Sequence, residues 1–369
     1  MTGPVYTQVV AALPATVPFV GPEAHMRESG RRFRARLGAN ESAFGPAPAA
    51  IAAMEAAARE TWMYGDSENH DLRCALAERH EVRPENIVVG EGIDGLLGYL
   101  VRMLVAPGDA VVTSDGAYPT FNYHVNGYGG ALHKVPYRDD HEDPQALLDK
   151  AAETRAKLLY LSNPDNPMGT HHPGDTIAAT VEQLPEGTLM VLDEAYLEFA
   201  RAEAEARIDP QDPRVIRMRT FSKAHGMAGA RVGYAIGAAD LIRRFDLIRN
   251  HFGMTRIAQA GALAALQDGE WLDYVRHEVA RSRDRLGRIA AANGLTALPS
   301  ATNFVAIDCG EGGDFARAVL AELMARDIFV RMPGTAPLDR CIRVTAGRPT
   351  ELDAFEEVLP EALRAARAS

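Results

Sequence analysis

Three short stretches carry side chains that could surround one small ligand: Asn163-Pro-Asp-Asn-Pro-Met-Gly169, Val191-Leu-Asp-Glu-Ala-Tyr196, and Thr220-Phe-Ser-Lys-Ala-His-Gly226 followed by Arg231. Together they offer an amide, a carboxylate, a phenol, hydroxyls, an amine and a guanidinium. Amine chemistry has few candidates, because Lys134, Lys150, Lys157 and Lys223 are the four lysines and the other 35 of the 39 basic residues are arginine. Lys150 and Lys157 fall on polar helical stretches that would solvate them. Lys223 lies between an apolar strand and a Gly-containing turn, where a solvated surface lysine is not expected. Taken singly, each residue has a plainer reading as an Asn-Pro turn, a solvated strand-end carboxylate, a packed aromatic or a surface arginine.

A fourth stretch, Gly90-Glu-Gly-Ile-Asp-Gly95, follows a strand and opens a helix, with Asp115 just beyond the next strand. This G-x-G-x-x-G pattern matches a dinucleotide-binding fingerprint. It leaves the later stretches unexplained, so a phosphate cradle at a helix N-terminus is preferred. A plain strand-to-helix turn ranks second and dinucleotide binding third.

The elements that must position these groups are legible as alternating apolar runs and helical stretches. Strands are expected at Ile87–Val89, Ala110–Thr113, Leu158–Leu161, Leu189–Leu192, Val215–Met218 and Val232–Ile236, with helices at Gly92–Val105, Asp175–Gln183 and Leu241–Arg249. The pattern is α/β: a large domain with a mainly parallel sheet sandwiched by helices, whose ligand crevice opens at the carboxyl ends of the strands. After Arg256 the character changes to a long helical segment, about Gln259–Ala292, and then short strands near Phe304–Ile307, Phe329–Arg331 and Ile342–Val344. Helices are expected at Asp314–Ala325 and Glu351–Ala366 and over the Ala-rich stretch 47–58. This predicts a smaller α+β domain over 257–369, a large domain over 42–256, and an N-terminal segment, 1–41, that joins the small domain.

Composition narrows the class further. Hydrophobic residues at 47% and charged residues at 24% suit a globular protein, and a net charge of −11 disfavours a nucleic-acid binder held by phosphate neutralisation. Cys74, Cys309 and Cys341 form no CxxC pair, so neither a disulfide framework nor a cysteine-rich metal site is expected, and a reducing cytoplasm fits. The apolar stretch Val9–Val20 is broken by Pro14 and Pro18, which argues against a secretory signal, and no membrane span is expected.

With these motifs in this order, the chain resembles the pyridoxal-phosphate-dependent aminotransferases of fold type I, in particular the histidinol-phosphate aminotransferase-like branch. The resemblance runs from Leu37-Gly-Ala-Asn-Glu41 to Ile342-Arg-Val-Thr345. It implies pyridoxal 5'-phosphate as cofactor, with Lys223 forming its Schiff base and carrying the proton, and Asp193 held against its ring nitrogen. Asn166 and Tyr196 would bond its phenolic oxygen, and Tyr118 would stack on its ring. The phosphate would be held by the backbone N–H groups of Ile93 and Asp94, by Thr220, Ser222 and Arg231, and by Tyr64 of a neighbouring subunit in a homodimer. Arg343, assisted by Asn40, would take the substrate carboxylate.

On substrate the sequence is divided. Arg331 matches an arginine that meets the distal phosphate of histidinol phosphate, but Phe19 stands where a phosphate-touching tyrosine is common and cannot donate that bond. Glu91, Ile93, Gly95 and Met168 also depart from residues usual in the family. The expectation is transfer of an amino group between an L-amino acid or related amine, histidinol phosphate first, and a 2-oxo acid such as 2-oxoglutarate. Aromatic or other amino acids, a decarboxylase on the same fold, and a non-catalytic cofactor-binding regulatory domain remain alternatives.

Overall fold

The computed structural model describes residues 3–14 and 20–368. In chain order its strands are β1 (Ala35–Arg36), β2 (Ile87–Gly90), β3 (Ala110–Ser114), β4 (Ala131–Val135), β5 (Leu158–Ser162), β6 (Leu189–Asp193), β7 (Val215–Thr220), β8 (Gly233–Gly237), β9 (Thr296–Ala297), β10 (Phe304–Asp308), β11 (Ile328–Phe329) and β12 (Cys341–Thr345). Seven of them form one sheet in the order β2-β8-β7-β6-β5-β3-β4. Its pairings are parallel except those of β8, which runs antiparallel to both β2 and β7. The carboxyl ends of β2, β5, β6 and β7 therefore open on the same edge.

The central strands are continuous apolar runs because both faces are covered. In β5, Leu158 and Tyr160 pack with Leu96, Leu100 and Phe121, whereas the alternate residues Leu159 and Leu161 pack with Leu147 and Leu148. The period of two thus sends successive side chains to helices on opposite faces, Gly92–Leu104 on one and Pro144–Thr154 on the other. Strand β4 has no counterpart among the sequence expectations. It lies at the sheet edge with half-buried Leu132 and His133 and exposed Lys134, so it lacks the apolar run of the interior strands.

A second sheet, β12-β10-β9, is antiparallel throughout, and β1 pairs in parallel with β11. Helices Gly269–Ala292, Gly312–Ala325 and Pro349–Ala368 contribute Leu286, Ile289, Val319, Leu323, Phe355 and Leu359 to the core beside these strands. The long helix expected over Gln259–Ala292 is instead two, Arg256–Gln267 and Gly269–Ala292. Asp268 leaves helical geometry and accepts the backbone N–H of Trp271, capping the second helix at the cost of continuity with the first. The helix expected at Leu241–Arg249 runs instead over Ala239–Phe245. Among the described residues, no helix is long and apolar enough to cross a membrane.

Candidate active site

The strand ends converge on a cavity of about 740 Å³. Asn40, Ile93, Asp94, Tyr118, Asn166, Asp193, Tyr196, Thr220, Ser222, Lys223, Arg231, Arg331 and Arg343 all line it. Thirteen of the fifteen residues singled out from the sequence therefore share one space. Tyr64 does not: it is 77% exposed, away from the cavity, with its ring 4.7 Å from that of Phe252. Phe19 lies outside the described residues.

Lys223 follows β7 and is half-buried, its Nζ donating to the carbonyl of Asn40 at 3.2 Å and lying 5.6 Å from the Tyr196 ring centroid. Burial, then the positive charge of Arg343 and, more weakly, that of Arg231, bring its pKa down to about 8 against the opposing pull of Asp94 and Glu41. An amine so placed is neutral for a substantial fraction of the time near neutral pH, as a nucleophile or a proton acceptor requires. Asn40 is itself held in the left-handed region, with φ of 54°, by contacts of its backbone N–H and side-chain oxygen with the Thr345 hydroxyl.

Asp193 ends β6 and is buried. Its Oδ2 accepts the Tyr160 hydroxyl at 2.6 Å and its Oδ1 accepts the Ala195 N–H at 2.9 Å. Burial raises its pKa to about 6, opposed by those two hydrogen bonds. A carboxylate this deprived of water is set to pair with a cationic N–H. Tyr196, also buried, accepts the side-chain N–H of Asn40 at 3.0 Å and of Asn166 at 3.4 Å. Its pKa is pushed up to about 12, chiefly by burial, so it stays a neutral phenol whose own proton remains to be donated.

One end of the cavity is built for an anion. Gly92, with φ of +78°, turns β2 into its helix, and a side chain there would place a Cβ 2.4 Å from Arg231 Nη2. Glu91, the N-cap, makes no side-chain capping bond; its carboxylate reaches the Tyr99 hydroxyl instead. The first turn thus presents Ile93 and Asp94 beside Ser222 and Arg231, which are joined at 3.3 Å. Thr220 shares this corner, its hydroxyl 2.9 Å from that of Ser222. The Asp94 side chain, not anticipated from the sequence, accepts the Tyr118 hydroxyl at 3.1 Å and pairs with Arg231 at 3.4 Å. Burial and that carboxylate raise the pKa of Tyr118, which becomes a weaker acid.

At the other end Arg343, on β12, donates Nη1 to the Asn166 side-chain oxygen and Nη2 to the Gly38 carbonyl. Its Nε is buried with no hydrogen-bond partner among the described residues, and its guanidinium carbon lies 5.2 Å from the Phe304 ring centroid. Arg331 pairs with Arg343 through the backbone as an antiparallel bridge and donates Nη2 to the Val20 carbonyl at 2.9 Å. Burial lowers the pKa of both arginines. Met168 is fully buried with Ala306, Leu338 and Cys341, so in this chain that loop position packs and offers no side-chain donor. Tyr160, which holds Asp193, and Lys134, which lines the rim while paired with Asp115 at 3.0 Å, were not among the residues singled out from the sequence. The signal for Tyr160 is one aromatic within the aliphatic run Leu158–Leu161.

Residues 35–359 match the family model of the class I and II aminotransferases. The chain is 53% identical to the histidinol-phosphate aminotransferase of Sinorhizobium meliloti, solved in complex with pyridoxal-5'-phosphate, over 97% of each chain with a TM-score of 0.94. It is 31% identical to the histidinol-phosphate aminotransferase of Moorella thermoacetica over 98% of this chain and 94% of the relative. With histidinol-phosphate aminotransferase 2 of Ralstonia nicotianae it shares 34% identity over 90% of each. The lysine, carboxylate and anion corner thus sit in a chain that matches one family over most of its length, and this protein belongs to the class I and II aminotransferases.

Proposed function

We propose that this aminotransferase uses pyridoxal 5'-phosphate to move an amino group from histidinol phosphate to a 2-oxo acid such as 2-oxoglutarate. The cofactor fits the donor set. Ile93, Asp94, Ser222, Thr220 and Arg231 would hold its phosphate, Asp193 its ring nitrogen, Asn166 and Tyr196 its phenolic oxygen, and Tyr118 its ring face. Arg343, with an unfilled Nε, and Asn40 would take a carboxylate of the amino acid or 2-oxo acid partner. When bound, the cofactor supplies a carbonyl that condenses with amines and a cationic ring that accepts the electron pair left when the carbon bearing the amine loses a proton. Lys223 Nζ is the base for that proton and its later donor, and Asp193 keeps the ring nitrogen protonated.

The observation that carries the substrate reading is the cationic pair at the cavity's far end, where Arg331 is bridged to Arg343. A donor with a distal phosphate brings a second anionic group that suits a cavity end lined by two arginines, and the relatives' names support the same class. A homodimer in which Tyr64 reaches the neighbouring cofactor phosphate belongs to this reading, as does a cytoplasmic setting for the three unpaired cysteines. The test is a panel of amino donors with 2-oxoglutarate on the wild type and on Arg331→Ala. The wild type should show its highest kcat/KM with histidinol phosphate, and Arg331→Ala should lose about 10- to 100-fold on that donor alone, the value of a charge-assisted hydrogen bond. Preference of the wild type for an aromatic amino acid, unchanged by the substitution, would overturn the substrate assignment.

A further inference from the structure

Behind Asp193 runs a buried hydrogen-bonded chain that the reaction as described does not use. The Ser162 hydroxyl lies 3.2 Å from the Tyr160 oxygen and donates to it, and Tyr160 in turn donates to Asp193 Oδ2 at 2.6 Å. Ser162 is fixed at its backbone, where its N–H donates to Glu142 Oε1 at 2.8 Å, and Glu142 Oε2 accepts the Ser114 hydroxyl at 2.6 Å. The Tyr160 ring is fully buried and stacked on Phe121, with centroids 4.7 Å apart and planes 16° apart. Every rotation that would carry its hydroxyl away from Asp193 is thereby resisted. The ring leaves the sheet on the same face as Val191, and its hydroxyl reaches diagonally to the residue two further along β6.

We propose that Tyr160 is a positioning residue for Asp193: its phenol, braced by Phe121 and polarised by Ser162, fixes the carboxylate in one orientation and as an anion facing the cofactor's ring nitrogen. The inference rests on the reading above that Asp193 meets that nitrogen. The physical need is plain. A buried carboxylate drifts toward its protonated form, and here Asp94 and Glu194 push it the same way. A protonated Asp193 leaves the ring nitrogen neutral and the electron sink weak. The Tyr160 and Ala195 donors oppose that drift by bonding the charged form, and a donor that is itself accepting a hydrogen bond is the stronger for it.

The experiment reconstitutes the enzyme with ring-¹⁵N pyridoxal 5'-phosphate and records the nitrogen resonance alongside steady-state kinetics. Tyr160→Phe keeps the stack on Phe121 and deletes the hydroxyl alone. The resonance should move from the pyridinium toward the neutral-pyridine position, and kcat should fall about 10- to 100-fold while KM for the amino donor stays within about twofold. Asp193→Asn sets the neutral limit. If Asp193→Asn leaves the resonance in the pyridinium position, the assignment of Asp193 itself fails; if it moves the resonance and Tyr160→Phe does not, the role of Tyr160 alone is overturned. Should Tyr160→Phe not fold, Ser162→Ala removes the polarising donor, and an unmoved resonance there overturns the proposal as well.

Discussion

The Lys223 amine should titrate about two units below an ordinary lysine in the protein freed of cofactor, and Arg343 should be responsible for part of that depression. A lysine in water has a pKa of about 10.4, so at pH 7.5 only about one molecule in a thousand carries a neutral amine. With the pKa brought down to about 8, roughly a quarter does, some 200-fold more nucleophile. Burial is the largest cause and the Arg343 charge the next. Replacing Arg343 with Gln removes a cation from a partly dehydrated cavity, and a rise of about one unit is expected, which lowers the neutral fraction at pH 7.5 by roughly eightfold. Reductive methylation across pH 6 to 11 with peptide mapping reads this directly, with exposed Lys157 as internal reference. The amine should become reactive as pH rises through about 8 in the wild type and about 9 in Arg343→Gln. A Lys223 midpoint at 10 or above, or one that Arg343→Gln leaves in place, would refute the electrostatic reasoning.

Two further outcomes follow from the geometry. Gly92→Ala forces a side chain onto Arg231 in a left-handed backbone, so affinity for pyridoxal 5'-phosphate, measured by titrating the cofactor-free protein, should fall about 10- to 100-fold; unchanged affinity would remove Arg231 from the anion corner. Glu194 is buried and clasped by Arg217 and Arg219, whose charges outweigh burial and hold its pKa below the usual carboxylate value. A lowered pKa in the folded state gives stability that is present above the unfolded value and lost as pH falls through the folded one. Glu194→Gln should therefore cost less than the roughly 3–5 kcal/mol of an uncompensated buried charge at pH 7, because Arg217 and Arg219 keep Glu205, and Arg219 also Glu198, as carboxylate partners, and the gap in thermal midpoint should narrow in acid as pH falls below the unfolded carboxylate value. A gap that stays constant from pH 7 to pH 3 would contradict this.

How much of this was legible in the sequence depended on whether a residue's surroundings are local. Lys223, Asp193 and Asn166 each sit where an apolar run ends at polar and turn-forming residues, so both the strand and the opening loop could be read from neighbours in the chain. Tyr160 could not, because its partner lies on β6 and the reach is diagonal; only the register that pairs Ser162 with Asp193 brings the two together. The Asp94 carboxylate escaped notice for a related reason. Its backbone N–H belongs to the helix start, a local signal, but its side chain answers to Tyr118 and Arg231, 24 and 137 residues away. The break at Asp268 replaces one expected helix with two, since an unbroken helical period is blind to a capping side chain that competes with the backbone.

The balance of charge explains why these residues need one another. The chain carries a net charge of −11, yet its cavity gathers Lys223, Arg231, Arg331 and Arg343, with Lys134 at the rim. Loss of water lowers the pKa values of Lys223, Arg331 and Arg343, and repulsion from neighbouring cations adds to it at Lys223 and Arg343. Three acids of the lining, Glu41, Asp94 and Asp193, offset the excess only in part: Glu41 is paired with Arg36, Asp94 is spent on Arg231 and Tyr118, and Asp193 accepts from Tyr160. The arrangement therefore has a deficit of negative charge at both ends, beside Arg231 and beside Arg343. A phosphate at the first and a carboxylate or second phosphate at the other would complete it. An anion at either end would weaken the cationic fields that add to burial in depressing Lys223, so a ligand that the cations attract would also retune that amine.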